Sequence, residues 1–140
     1  MAQVLVGMGS NIDAEKNFRL AAAALRQCFG EVCFSSVYLS AAIGMDGDDF
    51  LNACCLFHAD LPEVQVKLQL KVLEDAQGRD RAEGSWRPRT LDLDVLMYDG
   101  QAVDEELYRY AHACVPASEL LDIEVPVNCE GRLERFEFNF

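Results

Sequence analysis

Two aspartates, Asp92 and Asp94, stand in a short alternating stretch and carry the strongest chemical signal in the chain. Leucine and valine occupy the odd positions from 91 to 95, so in a β-strand both carboxylates point to one face. Strands avoid aspartate, and two parallel carboxylates repel each other unless a cation lies between them. Mg²⁺ takes such oxygen ligands and fills its shell with water and substrate phosphates. The pair therefore predicts a magnesium site.

Arginines are concentrated immediately before this pair, at Arg79, Arg81, Arg87 and Arg89. Guanidinium groups are fork-shaped donors that match phosphate oxygens. Together with the carboxylates they indicate a site for a magnesium–polyphosphate complex. The alternative is a solvated strand face neutralised by surface ion pairs, which contribute little. The continuous apolar run from residue 95 to 98 argues against it, because such a run predicts a strand covered on both faces.

Length and composition limit the class of protein. A chain of 140 residues is predicted to be one domain, 1–140, and no apolar run is long enough to span a membrane. The net charge of −12 argues against nucleic acid or an anionic membrane as partner. The first residues lack a signal-peptide pattern, and six cysteines without zinc spacing predict buried, reduced thiols. We expect a cytoplasmic protein, with a monomer favoured.

Hydrophobic periodicity predicts the elements that position these residues. A first strand over 3–8 should end in a turn at Gly9-Ser10-Asn11, and a helix capped by Asn11 or Asp13 should run to Gly30. Strands over 32–40 and 50–58 should form a hairpin joined by a loop over 41–49, followed by a helix from Pro62 to about Gln77. A lid-like loop over 78–89 should lead into the strand that carries the aspartates, which should end in a turn at Asp99-Gly100. The last predicted elements are a short helix over 116–121 and a terminal strand over 135–140. This order, β-α-β-β-α-β, predicts an α+β fold with a ferredoxin-like core, an antiparallel sheet with packed helices and short C-terminal additions.

The motif Trp-x-Pro-Arg-Thr-Leu-Asp-Leu-Asp at 86–94 resembles the signature of the 6-hydroxymethyl-7,8-dihydropterin pyrophosphokinase family. Gly9-Ser10-Asn11, Ser35-Ser36-Val37-Tyr38 and Phe50-Leu51-Asn52-Ala53 resemble further family motifs in the family's order. The likeness covers roughly residues 4 to 98. It implies transfer of a diphosphate from ATP to the hydroxymethyl group of a dihydropterin, with release of AMP, in folate biosynthesis.

The resemblance also implies roles for single residues. Asp92 and Asp94 resemble the ligands of two Mg²⁺ ions that bind with ATP, and they form the catalytic set with Arg79 and Arg89. The implied ATP-binding residues are Lys71, Glu74, Arg79, Arg81, Arg89 and His112. The implied pterin-binding residues are Ile43, Gly44, Phe50, Asn52 and Trp86, with Asn52 bonding the amide-like edge of the ring.

The sequence departs from the family pattern at several positions. Arg87 replaces a glycine of the signature, Ala41-Ala42 replaces loop prolines, and Lys71 replaces a glutamine. Near the C-terminal end two registers against the family stay open. In the first, His112 is the histidine that contacts ATP phosphate, and the expected arginine and aromatic are Ser118 and Leu120. In the second, Val115-Pro116-Ala117-Ser118-Glu119 matches a family turn, which puts His112 in place of the ring-stacking aromatic and Tyr110 in place of the arginine.

Three functions of different classes follow. The first is a magnesium-dependent pterin pyrophosphokinase, for which the acceptor is the folate precursor or a related pterin alcohol. The second is a diverged, non-catalytic module that binds nucleotide or pterin. The third is a ferredoxin-like regulatory or dimerisation domain, which would leave the two aspartates unexplained. The missing arginine near the C-terminal end favours the second function, whereas the two aspartates and the four arginines favour the first.

Overall fold

The computed structural model describes residues 1–40, 49–77 and 91–140, which form both helices and strands. In chain order they are β1 (Ala2–Ser10), α1 (Ala14–Phe29), β2 (Val32–Phe34), β3 (Val37–Ser40), β4 (Phe50–Ala59), α2 (Glu63–Ala76), β5 (Asp92–Tyr98), β6 (Gln101–Ala102), α3 (Glu106–Arg109), α4 (Ala111–Leu120) and β7 (Glu134–Phe136). The protein is therefore α+β, as predicted. The loop over 41–49, except for Asp49, and the whole lid-like loop over 78–89 lie outside the described residues.

The strands form one antiparallel sheet in the order β6-β5-β1-β4-β3-β7, and β2 also pairs with β4. β1 lies in the centre of this order, and its residues Val4, Leu5 and Val6 are fully buried. The predicted hairpin between the second and third strands is confirmed by the pairing of β2 and β3 with β4. Because β1 pairs with β4 on one side and β5 on the other, residues far apart in sequence meet across it.

Each face of the sheet has its own hydrophobic core. On one face α1 and α2 pack their buried side chains, such as Phe18 and Leu70, against Val4 and Val6. On the other face α3 and α4 pack onto Leu5, Cys54 and Leu96 through Leu107, Ala113 and Ala117. Side chains alternate along a strand, so Leu91, Leu93 and Val95 enter the first core while Leu96 enters the second. Asp92 and Asp94 share the face of Leu96.

The ends of α1 differ in part from the prediction. β1 continues through Ser10, so Gly9 and Ser10 are strand residues and the predicted turn begins later. Asp13 stands at the N-cap, but its φ of 43° turns it into the left-handed region and its side chain makes no capping hydrogen bond. Asn17 instead donates from Nδ2 to the carbonyl of Ile12 at 2.7 Å. The helix ends at Gly30 as predicted, and the N–H of Gly30 bonds the carbonyl of Arg26. The predicted left-handed cap is not formed, because the φ of 83° at Gly30 is combined with a ψ of −121°.

The predicted strand over 32–40 is divided by Ser35, which separates β2 from β3. Ser35 keeps this segment attached to β4, because its N–H donates to the carbonyl of Cys54 and its Oγ accepts from the N–H of Cys54 at 2.8 Å. The interruption therefore changes the course of the strand without detaching it from the sheet.

The C-terminal third departs most from the prediction. The turn at Asp99-Gly100 is confirmed, and φ values of 52° and 85° match the two positive angles of a tight hairpin turn. The helix predicted over 116–121 begins earlier, at Ala111, and contains Pro116 in its interior. Burial of Ala113, Cys114 and Ala117 against the sheet stabilises α4 despite this proline, since packing outweighs propensity. The terminal strand is shorter than predicted, and Phe138 and Phe140 beyond it pack on the first core.

All six cysteines are free thiols, as predicted, but only some are buried. Cys54, Cys55 and Cys114 are buried and Cys129 is partly buried, whereas Cys28 on α1 and Cys33 on β2 are exposed. Burial raises the pKa of Cys54 well above its ordinary value, so this thiol stays protonated. Across the described ranges, no helix is long and apolar enough to cross a membrane.

Candidate active site

A cavity of about 260 Å³ opens on the second face of the sheet, beyond the part that α3 and α4 cover. Three neighbouring strands supply its floor, and the α3–α4 region supplies one wall. Its lining residues are Gly7, Met8, Gly9, Ser40, Phe50, Asn52, Asp92, Asp94, Leu96, Glu106, Tyr110, His112 and Ala113. Five of the residues singled out from the sequence therefore meet in one cavity.

The carboxylate side of this cavity is formed by β5. Asp92 and Asp94 line the cavity together, as the alternation predicted, and Glu106 from α3 joins them. Asp94 is exposed, yet burial by the surrounding protein and the negative charges of Asp92, Glu74, Glu106 and Asp104 raise its pKa to about 7. The neighbouring carboxylates oppose ionisation of Asp94, because like charges close together disfavour the charged form.

This concentration of negative charge fits a divalent cation, which would relieve the repulsion between the carboxylates. No set of three or more histidine, cysteine or acidic side chains suited to hold a metal occurs in the part of the chain that the structure describes. Asp92 and Asp94 bring two carboxylates to one cavity, and their role as metal ligands stays a prediction. Mg²⁺ is suited to such a set because water and phosphate oxygens complete its shell.

A second cleft, of about 400 Å³, adjoins the same aspartates on the side of α2. Lys67 and Lys71 line it together with Asp104 and Glu106. Lys71 is exposed there, on the same cleft as Asp92 and Asp94, so it is placed to meet an anion beside the carboxylate pair.

Glu74 also lines this cleft, but it has a structural contact as well. Its side chain is only 3% exposed, and Oε2 accepts a hydrogen bond of 2.7 Å from the N–H of Leu93 on β5. Glu74 therefore ties α2 to the strand between the two aspartates. A role in ATP binding stays a prediction for this residue.

The opposite side of the cavity is formed by β4 and the end of β3. Phe50 and Asn52 lie on one face of β4, as predicted from their spacing. The Nδ2 of Asn52 donates to Ser40 Oγ at 2.7 Å, which fixes the orientation of the amide. The Oδ1 of Asn52 lies 3.9 Å from where a Cβ on Gly9 would stand, so the amide presents its acceptor toward β1. A planar group with an N–H at its edge would match this acceptor.

His112 belongs to the wall that faces these residues. Its ring stacks on that of Tyr110 with centroids 5.2 Å apart and an interplanar angle of 13°, and both rings line the cavity. Burial lowers the pKa of His112, and nearby Asp92 opposes the shift. His112 does not line the cleft of Lys71 among the described residues. It lines the cavity together with Phe50 and Asn52 and also lies near Asp92, so both registers stay predictions.

Glu119 connects the helix of His112 to the sheet. Its carboxylate accepts from the N–H of Ser36 at 3.0 Å and from the hydroxyl of Tyr38 at 2.6 Å. Although partial burial raises the pKa of Glu119, these hydrogen bonds outweigh it and lower the pKa below its ordinary value. The contact therefore attaches the C-terminal end of α4 to β3 and the segment before it.

The remaining site predictions fall outside the described residues. These are Ile43, Gly44, Arg79, Arg81, Trp86 and Arg89, together with Arg87. Their roles stay predictions.

Among the polar residues that line the cavity, the sequence reasoning missed Ser40 and Glu106. Ser40 pairs with Phe50 across the hairpin, so the register of β3 on β4 could have indicated it. Glu106 stands in an acidic run with no periodicity, and only the packing of α3 brings it to the cavity. Gly9 was interpreted as part of a turn, whereas it forms part of the floor.

Comparisons with known proteins identify the family of this chain. Residues 5–127 match the family model described as 7,8-dihydro-6-hydroxymethylpterin-pyrophosphokinase. Three relatives are each named 2-amino-4-hydroxy-6-hydroxymethyldihydropteridine pyrophosphokinase. That of Pseudomonas putida is 33% identical over 110 residues, covering 76% of this chain and 91% of the relative. That of Aquifex aeolicus is 31% identical over 114 residues, covering 80% of this chain and 71% of the relative. That of Methylorubrum extorquens is 36% identical over 121 residues, covering 82% of this chain and 75% of the relative. The chain therefore belongs to the 7,8-dihydro-6-hydroxymethylpterin-pyrophosphokinase family.

Proposed function

We propose that this protein transfers the terminal diphosphate of ATP to the hydroxymethyl group of 6-hydroxymethyl-7,8-dihydropterin, or a related pterin alcohol, and releases AMP. The observation that carries the proposal is the single cavity that brings Asp92 and Asp94 together with Phe50 and Asn52. Phosphate-binding and ring-binding groups thus share one space. A donor phosphate and an acceptor hydroxyl bound there would be held close enough to react, and positioning is the main source of catalysis in phosphoryl transfer.

On the donor side, Asp92 and Asp94 would hold magnesium. When bound, the cation neutralises charge on the triphosphate and on the groups that develop charge during transfer. Lys71 adds a positive group on the adjoining cleft. Arg79, Arg81 and Arg89 would clamp the phosphates, with Arg79 and Arg89 acting in catalysis, and Glu74 would contribute by holding β5 in place.

On the acceptor side, Phe50 and His112 would lie on opposite sides of the pterin ring. Asn52 would accept a hydrogen bond from the edge of the ring, because Ser40 holds its amide with Oδ1 toward the cavity. Burial lowers the pKa of His112, which favours the neutral imidazole as a stacking surface at neutral pH. Ile43, Gly44 and Trp86 would complete the pterin site.

We also propose that residues 1–140 form one domain with a ferredoxin-like core. The strand order β5-β1-β4-β3, with α1 and α2 on one face of the sheet, supports this arrangement. A cytoplasmic location and a monomeric state stay predictions.

Phosphorus NMR of ATP and Mg²⁺ with the protein tests the activity. We expect AMP to appear only after 6-hydroxymethyl-7,8-dihydropterin is added. Asp94→Asn, which keeps the size of the side chain but removes its charge, should reduce AMP formation more than about 100-fold, because even outer-shell changes around metals cost 10- to 100-fold. Asp122→Asn, at an exposed position outside the cavity, is the matched control. AMP formation by Asp94→Asn at the rate of the control would overturn the metal assignment.

The second candidate is a binding module without catalysis. The observation in its favour is that Tyr110, which takes the place of the family's arginine in the second register, lines the cavity. A neutral phenol there would not neutralise phosphate charge. Calorimetry that shows binding of ATP and pterin, combined with no AMP from any pterin alcohol, would establish this function instead of the enzymatic one.

A further inference from the structure

The thiols of Cys114 and Cys129 meet beside α4, the helix that carries His112. Cys114 lies on this helix two residues after His112 and is fully buried, whereas Cys129 lies in the segment that follows the helix and is partly exposed. A side-chain hydrogen bond joins the two thiols. Neither cysteine lines the cavity, so the proposed function does not account for their contact.

Backbone pairing holds the two cysteines in place. Tyr110, at the start of α4, forms a parallel bridge with Glu130, and the N–H of Glu130 donates to the carbonyl of Arg109 at 2.8 Å. Cys129 directly precedes this bridge. Cys114 lies one helical turn beyond it, where its N–H donates to the carbonyl of Tyr110 at 3.1 Å. The fold therefore brings the two thiols into contact, which is the first requirement for a disulfide.

The two thiols differ in their access to reagents. Cys129 is partly exposed, so a reagent in solution can reach it. Burial, and after it the hydrogen bond to Cys129 and the negative charge of that residue, raise the pKa of Cys114 to about 11. A Cys129 sulfur that is bonded to another sulfur carries no negative charge, so one cause of the raised pKa then disappears. Cys129 is thus suited to react first and Cys114 second.

Cys54 is the alternative partner for Cys114, because the two thiols are close enough for the charge of Cys114 to contribute to the raised pKa of Cys54. Cys54 is fully buried, however, and its Sγ donates to the carbonyl of Ala113 at 3.6 Å. A reagent in solution does not reach this thiol. Access therefore favours the pair with Cys129.

We propose that Cys114 and Cys129 form a reversible disulfide, and that Cys129 is the site at which the oxidant, a low-molecular-weight disulfide, reacts. The sulfur of Cys129 attacks one sulfur of the oxidant, so a mixed disulfide forms, the S–S bond of the oxidant breaks and one thiol is released. The sulfur of Cys114 then attacks that of Cys129, and the second thiol leaves. The cysteines lose two electrons and two protons, which the two released thiols carry away.

The disulfide would attach a segment that has little structure of its own. No helix or strand lies between α4 and β7, where every residue is described. A disulfide across residues 114–129 closes a loop of about 15 residues and reduces the entropy of the unfolded chain. Oxidation would therefore stabilise the wall of the cavity to which Tyr110 and His112 belong.

The test incubates the folded protein with oxidised glutathione, alkylates the remaining thiols and maps the disulfides by mass spectrometry of peptides. We expect a disulfide between Cys114 and Cys129 in the wild type. Cys114→Ser should stop at a glutathione adduct on Cys129, and Cys129→Ser should leave Cys114 reduced. Cys33→Ser, which removes an exposed thiol on β2, is the matched control and should form the wild-type disulfide.

Thermal unfolding gives a second readout, which accessibility of the thiols alone would not change. The Tm of the oxidised wild type should exceed that of the reduced protein by about 5–10 °C, as expected for a loop of this length, and dithiothreitol should reverse the rise. Cys129→Ser should show no rise. Because Cys129 is partly exposed, its replacement keeps the test decisive even if the buried change Cys114→Ser prevents folding.

Several outcomes would overturn the proposal, and none of them depends on the proposed function. A disulfide between Cys54 and Cys114 would do so, as would oxidation confined to the exposed Cys28 and Cys33. A disulfide between Cys114 and Cys129 that forms only after unfolding, or that leaves the Tm unchanged, would have the same consequence.

Discussion

At the scale of single residues, the cavity depends on side chains that orient other side chains. Asn52 is 5% exposed, and an amide that is buried to this degree needs partners for its donors. Ser40 Oγ is the closest of them, at 2.7 Å, while the carbonyls of Tyr38 and Phe50 lie at 3.4 Å. Ser40 therefore determines which end of the amide faces a ligand.

Removing this hydroxyl should weaken acceptor binding. In Ser40→Ala the Asn52 amide loses its best partner, and a hydrogen bond contributes about 0.5–1.5 kcal/mol. We expect the Kd for 6-hydroxymethylpterin to rise about three- to tenfold, measured by fluorescence titration. Ser118→Ala, which removes a hydroxyl bonded within α4 outside the cavity, serves as control. Equal affinities for the two variants would contradict the role of Ser40.

At the scale of elements, the wall of the cavity is attached to the sheet through Glu119. This residue lies on the same helix as His112 and bonds Ser36 and Tyr38 across a separation of more than eighty residues. Burial, and after it the hydrogen bond to Glu119 and the negative charge of that residue, raise the pKa of Tyr38 to about 12. This contact therefore attaches α4, which carries His112 on one wall of the cavity, to β3, which carries Ser40 on the opposite side.

This contact should make stability depend on pH. The pKa of Glu119 is lowered in the folded state, so its contribution is present above the ordinary value of 4.5 and is lost as pH falls below it. Because Glu119 is exposed, we expect Glu119→Gln to lower the free energy of unfolding by only about 0.5–1 kcal/mol at pH 7. Urea unfolding from pH 7 to pH 3 should show that difference shrinking. Glu124→Gln, at an exposed position after α4, is the control, and a difference independent of pH would refute the prediction.

At the scale of the whole molecule, one face of the sheet is closed by a hydrophobic core and the other carries the cavity. The face under α1 and α2 is closed by the larger core, to which the C-terminal phenylalanines add. Phe140 stacks on Phe34 with centroids 4.3 Å apart and on Phe18 at 5.8 Å. The other face is covered by α3 and α4 only in part, and the candidate active site occupies the rest.

A change on the closed face should therefore affect stability and leave the site intact. Phe140 is partly buried, and full truncation of a buried phenylalanine costs about 3–5 kcal/mol, so we expect Phe140→Ala to lower the free energy of unfolding by about 1–3 kcal/mol. The KM for the pterin alcohol should stay within twofold. Asn139→Ala, at an exposed neighbour, controls for the end of the chain. A Phe140→Ala variant that is fully stable, or that loses pterin affinity at full stability, would refute this division.

Much of the fold was predictable because local pattern and burial agree. Apolar runs indicated β1, β4 and β5, and the helical stripe and Gly30 indicated α1. The positive φ angles at Asp99 and Gly100 confirm a turn that its residue types predicted. The predictions were least accurate between residues 104 and 140, where α4 is stabilised by burial against the sheet and not by its own sequence.

For the site, the sequence by itself determined that Asp92 and Asp94 share a face, and Phe50 and Asn52 another, because the two-residue period of a strand is a local property. The sequence also indicated the family, because the family signature is a contiguous motif. Only the tertiary structure decided that these faces meet, since pairing of β1 with both β4 and β5 joins segments some forty residues apart. The places of Ser40, Glu106 and His112 were decided in the same way, because strand order and helix packing are set by burial over the whole chain and not by neighbours in sequence.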